Sequence, residues 1–217
     1  MSDQYKIFNG VPVDLGRFNC ITNEVLYYLY LPVSMPSYSD FVIPEALNPF
    51  CVLLHEVHRN EPSRFIDEYI YITVKRMFVG NGLSANRPGW HSDGFMSDDL
   101  NYVWYDSAPT VFTKGTFFLT LDHIVSLREM NEQANVSDEI MYPTCHLLKL
   151  DQHVIHRVNE DIPKMIMRTF VKISISKKRY NLIGNSHNYL IPYTWTMHDR
   201  SIIRNDPSKA QGDSGDI

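Results

Sequence analysis

The run Arg168-Thr169-Phe170-Val171-Lys172-Ile173-Ser174-Ile175 constrains the fold more than any other stretch of the chain. Strand side chains alternate between two faces, so Thr169, Val171, Ile173 and Ile175 share one face and Arg168, Phe170, Lys172 and Ser174 the other. The first face is almost wholly apolar and β-branched, and it needs a second layer to cover it. A helix predicted over residues 44–59 can supply that layer, because Pro44 can open a first turn and Leu47, Phe50, Leu54 and Val57 recur at spacings of three and four. Arg168 then points into the interior of a β-sandwich. A guanidinium there is costly unless an anion meets it, and its fork suits a carboxylate held by two parallel bonds. Lys172 and Ser174 share its face, and the Ser174 hydroxyl is a candidate second donor to that anion.

The remaining chain reads as short strands with polar turns. Residues 69–79 are rich in β-branched and aromatic side chains, and shorter strands are predicted over 102–105, 111–113, 116–121, 144–150, 154–158, 165–177 and 189–197. Residues 25–31 form an apolar run too short for periodicity to assign as strand or helix, and 122–134 read as a short helix or ordered loop. The first forty residues otherwise read as irregular, broken by Pro12, Pro32 and Pro36. Many short strands behind one early helix predict a mainly β fold, an antiparallel sandwich or jelly roll. The expected organisation is one domain over residues 1–204 with N-terminal helical support, followed by a disordered tail over 205–217.

Composition narrows the function classes. The net charge of −5 argues against a protein that holds duplex DNA by neutralising phosphates, but it leaves room for a nucleotide or a stacked single strand. No apolar run reaches bilayer-spanning length, and the N-terminus lacks a secretory pattern. Cys20, Cys51 and Cys145 are scattered, without a Cys-x-x-Cys, which suits reduced cysteines in a cytoplasmic protein.

The loop over residues 80–89 delivers the chain into Trp90-His91-Ser92-Asp93-Gly94. If His91-Ser92-Asp93 is extended, its imidazole and carboxylate leave the backbone on one side and supply two thirds of a 2-His-1-carboxylate site for Fe(II). Downstream, His156 falls between Ile155 and Val158 just after a turn, and Arg168 opens the next long strand. Taken singly, each residue has an ordinary role: an Asp in a surface turn, a core histidine, an arginine in a cross-strand ion pair. His153 is the rival to His156. His55 and His58, three apart on the early helix, lack an evident third ligand and are expected to be helix surface.

Together, His91-x-Asp93, His156 and Arg168 resemble the signature of Fe(II)- and 2-oxoglutarate-dependent dioxygenases, over about residues 69–180. The resemblance implies a double-stranded β-helix (a cupin-like jelly roll) with the site at its mouth. It implies iron ligated by His91, Asp93 and His156, and the distal carboxylate of 2-oxoglutarate on Arg168, helped by Ser174 or an upstream tyrosine. The activity implied is an O2-dependent hydroxylation or oxidative demethylation that releases succinate and CO2. Because Asp93 is present, the pattern does not resemble the halogenase branch.

Substrate choice is expected in the loops around the mouth, at Asn86, Arg87, Trp90, Phe95, Met96, Trp104 and Tyr105. Aromatics beside Asn and Arg suit a nucleobase, an amino-acid side chain or another small molecule. Two further classes remain open at this point. One is a cupin-type binding module whose Arg168 holds an anionic ligand, and the other is a metal isomerase on the same fold.

Overall fold

The computed structural model describes residues 5–83 and 88–200. In chain order its strands are Tyr5–Phe8 (β1), Val13–Arg17 (β2), Tyr27–Ser34 (β3), Tyr69–Val79 (β4), His91–Ser92 (β5), Leu100–Tyr105 (β6), Val111–Thr113 (β7), Phe117–Thr120 (β8), Glu139–Met141 (β9), His146–Leu150 (β10), Ile155–Arg157 (β11) and Ile166–Ser176 (β12). The α-helices are Cys51–Asn60 (α1), Pro62–Asp67 (α2) and His123–Gln133 (α3), with a 3-10 turn at Glu45–Phe50 leading into α1. No helix among the described residues is long and apolar enough to cross a membrane.

Every strand pairing is antiparallel. A large sheet has the order β2-β10-β6-β12-β4-β3, a small sheet the order β5-β11-β7-β9, and β1 pairs with β8 apart from both. From β4 onward the chain passes back and forth between the sheets, with β4, β6, β10 and β12 in the large one and β5, β7, β9 and β11 in the small one; β8, between β7 and β9, leaves both to pair with β1. Phe112 of β7 packs among Val103, Tyr105, Leu148, Leu150 and Phe170 of the large sheet, so the two sheets share a core.

The large sheet is buried on both sides, as the alternation of β12 predicts. Val171, Ile173 and Ile175, with Ile70, Ile72 and Val74 of β4, pack against Leu47, Phe50, Leu53, Leu54 and Val57. A helical layer thus covers one face, and Arg168, Phe170 and Lys172 line a cleft on the other. Burying these eleven apolar side chains between helix and sheet, at about 1.5–3 kcal/mol each, is the main force holding that layer together.

Two readings need correction. The first forty residues hold β1, β2 and β3, so they are not irregular. Pro32 is accommodated because β3 is an edge strand, paired only with β4. Residues 189–197 form no strand: Pro192 interrupts them, Tyr189 is 90% exposed, and the aromatics stack locally instead. His187 meets Tyr189 and Tyr193, while Trp195 meets Tyr69 and Tyr71. The tail expected over 205–217 lies outside the described residues.

Candidate metal centre and its cleft

The approach to His91 is built by a glycine and a helix. Gly89 has φ +87°, a conformation that favours glycine, and a Cβ there would meet Asn131 Oδ1 at 2.9 Å. That closeness lets Asn131 of α3 clamp the next residue, its Oδ1 accepting from Trp90 N at 2.9 Å and its Nδ2 donating to Trp90 O at 3.2 Å. The α3 helix is itself anchored by Asp122, whose carboxylate accepts from the backbone N–H groups of Ile124 and Val125.

β5 then pairs with β11 so that His91 sits directly opposite His156. Their rings lie 4.5 Å apart, and ligand atoms from His91, Asp93 and His156 all fall within 4.8 Å of one another. Each imidazole is oriented from behind. His91 Nδ1 is 3.0 Å from Gly89 O and His156 Nδ1 is 3.2 Å from Val154 O. A proton on each Nδ1 satisfies these carbonyls and leaves both Nε2 lone pairs for a metal. This is the one group among the described residues that could hold an ion. His153 packs on Phe8, His55 on Phe41 and His58 on Phe65, so none of these rivals joins it.

Charge is arranged around the same three residues. Burial works to raise the Asp93 carboxyl, but Lys172, His156 and His91 outweigh it and hold it well below the usual carboxylate range. Lys172 Nζ lies 3.0 Å from Asp93 Oδ2 and donates to Tyr30 Oη at 3.1 Å. Burial works against the Lys172 ammonium, yet Asp93 and Tyr30 raise its pKa overall. His156 is pushed down to about 4 by burial and then by His91, so it is a neutral ligand near pH 7.

Arg168 is 7% exposed on the facing sheet and is fixed by backbone carbonyls. Its Nε donates to Ser107 O at 3.2 Å and Ala108 O at 3.0 Å, while Nη2 reaches Thr110 Oγ1 at 3.4 Å. The guanidinium lies 4.9 Å from the Phe170 ring centre and 5.7 Å from that of Tyr105. Burial depresses its pKa to about 10, still cationic at neutral pH. His91, Asp93, His156 and Arg168 all line one cleft of about 650 Å³, a volume suited to one small molecule.

The remaining predicted site residues divide. Phe95 lines the cleft, stacked on Phe8. Ser174 does not: it is 1% exposed, and its hydroxyl donates to Asn101 Oδ1 at 2.7 Å. Trp90 is buried with Phe8, Phe95 and Met130, under the Arg157 guanidinium. Trp104 faces the helical layer, donating Nε1–H to Phe18 O, because strand alternation sends it to the opposite side from Val103 and Tyr105. Tyr105 is fully buried and bonds Tyr142 O, so it supports Arg168 from below rather than lining the cleft. Met96 is 44% exposed just beyond the turn at Gly94. Asn86 and Arg87 lie outside the described residues.

Sequence reasoning missed Tyr30, Lys75 and Thr110, all of which line the cleft. Lys75 was within reach, since apolar Ile70, Ile72 and Val74 alternate with it along β4. Tyr30 was not. It has φ +46° at a register shift in β3 between Tyr28 and Leu31, a bulge visible only in the pairing.

The chain matches no protein family, no curated protein and no solved structure. Its chemistry is therefore read from the cleft: two histidines and an aspartate able to hold a metal ion, in a β-rich fold.

Proposed function

We propose that the protein is an Fe(II)- and 2-oxoglutarate-dependent dioxygenase. It would hydroxylate or oxidatively demethylate a small molecule, releasing succinate and CO2, on a double-stranded β-helix of jelly-roll type. The observation that carries this reading is the meeting of His91, Asp93 and His156 on one sheet with Arg168 on the other, across a single cleft. The jelly-roll part rests on the passage of β4 to β7 and β9 to β12 between two antiparallel sheets that share a core.

The donor set suits ferrous iron. Two imidazoles and one carboxylate on one side match the facial triad, and the carbonyl-held Nδ1 atoms fix both rings. His91, Asp93 and His156 would hold the ion, which with 2-oxoglutarate and O2 supplies an oxidant able to attack a C–H bond. The chain's own part is positional. Arg168, buried and fixed from behind, anchors the distal carboxylate of 2-oxoglutarate. Lys172 holds the Asp93 carboxylate in one orientation. Phe95, Val103 and Phe170 give the cleft apolar walls that limit water around the reacting centre.

Adding Fe(II) and then 2-oxoglutarate without oxygen tests this. A weak visible charge-transfer band is expected, lost in Asp93→Ala and His156→Ala. A wild-type protein that gives no band, or a band that survives Asp93→Ala, overturns the reading. One observation favours a second reading, the cupin-type binding module: Lys172 Nζ, 3.0 Å from Asp93 Oδ2, is itself a counter-charge for that carboxylate. That module would bind an anion with no dependence on metal or oxygen.

A further inference from the structure

A run of aromatic rings leaves the metal centre at Tyr30 and reaches the surface on the far side of β4. Tyr30 lines the cleft, and Lys172, which holds Asp93, also donates to its hydroxyl at 3.1 Å. The Tyr30 ring meets Tyr180 edge-on at 5.2 Å between centres, and Tyr180 stacks on Tyr71 at 4.3 Å with 11° between planes. Tyr71 is fully buried and lies 6.4 Å from Trp195, which in turn lies 4.5 Å from Tyr193. Trp195 and Tyr193 are half-buried, so the run ends where solvent reaches it.

Packing preferences account for the ring geometries. The charges beside the rings add a direction. Lys172 Nζ sits 4.9 Å from the Tyr30 ring centre, and an ammonium there opposes an electron hole on that ring. At Tyr180 the sign is reversed, because its hydroxyl donates to the buried Asp99 carboxylate at 2.9 Å. Burial and then Asp99 keep that hydroxyl protonated well above the usual phenol range. A phenol that loses an electron becomes strongly acidic, and a carboxylate already in the hydrogen bond takes its proton. The Tyr71 hydroxyl donates to Lys178 O, a carbonyl that takes no proton, so Tyr71 passes a hole on without keeping it. A hole is therefore repelled at the metal end and stabilised one ring further out. Electron tunnelling falls off exponentially with distance, so short steps between rings outrun one long jump.

We propose that Tyr30, Tyr180, Tyr71 and Trp195 form a hole-transfer relay that carries oxidising equivalents from the metal centre to the surface, where a one-electron reductant such as ascorbate quenches them. This rests on the dioxygenase reading, because an oxidant able to attack a C–H bond endangers the protein whenever it forms with no substrate in place. In each passage the reductant loses one electron, which moves inward ring by ring, while the Tyr180 proton shifts to Asp99 Oδ2 and back. Two passages supply two electrons. With two protons from solvent, these reduce the oxidant's oxygen atom to water and return the metal to Fe(II).

Turnover without substrate tests the relay, using Fe(II), 2-oxoglutarate and O2 with catalase present to remove stray peroxide. Freeze-quenched wild-type protein should give the electron paramagnetic resonance signal of a tyrosyl or tryptophanyl radical. Peptide mass spectrometry should find oxygen added at Trp195 or Tyr193, and ascorbate should suppress both signals. Tyr180→Phe keeps the stacked ring but removes the readily oxidised phenol. It should lose the oxidation at Trp195 and Tyr193, gain oxidation at cleft residues such as Phe95, and stop forming succinate after fewer turnovers. If Tyr180→Phe fails to fold, the isosteric Asp99→Asn keeps the test open: it removes the proton acceptor, and oxidation at Trp195 should fall likewise. Succinate formed with no protein radical overturns the relay and leaves the dioxygenase reading in place. So does oxidation at Trp195 that is unchanged in Tyr180→Phe or Asp99→Asn, or that persists in Asp93→Ala. If wild-type protein forms no succinate and gives no visible band, the dioxygenase reading falls and takes the relay with it.

Discussion

Replacing Lys172 by methionine isolates what holds the metal-free centre together. The substitution keeps the length and apolar stem of the side chain but removes an ammonium 3.0 Å from Asp93 Oδ2 and 3.1 Å from Tyr30 Oη. Side-chain exposures are 11% for Lys172 and 22% for Asp93, so the pair is mostly desolvated. Leaving one charge of such a pair buried alone costs about 3–5 kcal/mol. A fallback exists, because His156 Nε2 lies 3.8 Å from Asp93 Oδ2 and can take up a proton. The expected loss is therefore at the lower end, about 3 kcal/mol. For a chain of this length that corresponds to a fall in Tm of about 6–12 °C. A divalent ion at the triad supplies the missing positive charge, so Mn(II) should raise the Tm of Lys172→Met more than that of the wild type. Thermal unfolding by circular dichroism, with chelator and with Mn(II), reads both quantities. If the variant is as stable as the wild type without metal, or if Mn(II) raises both by the same amount, Lys172 is not the counter-charge of an empty metal site.

Other predictions concern single residues. Arg168→Lys keeps the charge but cannot span the Ser107 and Ala108 carbonyls while reaching a ligand, so the 2-oxoglutarate dependence of the visible band should shift to about tenfold higher concentration or more. Ser174→Ala should leave that dependence unchanged and cost about 1 kcal/mol in urea unfolding, since its hydroxyl serves Asn101. Lys75 has a folded pKa of about 8, below its unfolded value, so between these values the unfolded chain binds more protons. Wild-type stability should accordingly rise with pH across roughly pH 8 to 10.4 relative to Lys75→Met, and a flat difference over that window contradicts the burial of Lys75 and its repulsion from Lys172, Arg168 and Arg200.

How much was legible in the sequence depended on the range of the interaction involved. The two faces of β12 were readable because alternation is a property of the strand itself, and the helical layer followed from the apolar face needing cover. His91, Asp93 and His156 were readable as types, yet what brings them together is the pairing of β5 with β11, which no local pattern states. Ser174 shares the face of Arg168, as alternation requires. Its position along the strand, however, places it beside Asn101 of β6 and away from the cleft. Trp104 failed for a related reason: the same alternation that aims Val103 at the cleft aims Trp104 at the helices. Tyr30 depends on a bulge in β3, and the aromatics near residue 195 were read as strand although they stack on one another. Aromatic content signals burial as readily as it signals a sheet.

The position of β5 has a consequence for folding. It is a two-residue edge strand, bonded in its sheet to β11 alone, yet it carries one ligand and leads into another. Few backbone bonds hold it, so in the metal-free protein its amides should exchange with solvent by local opening, well below the free energy of global unfolding. A bound ion would tie His91 and Asp93 to His156 and act as a staple across the β5–β11 seam. The centre would then be assembled late, once distant parts of the chain have met, and metal loading would slow the opening of that seam.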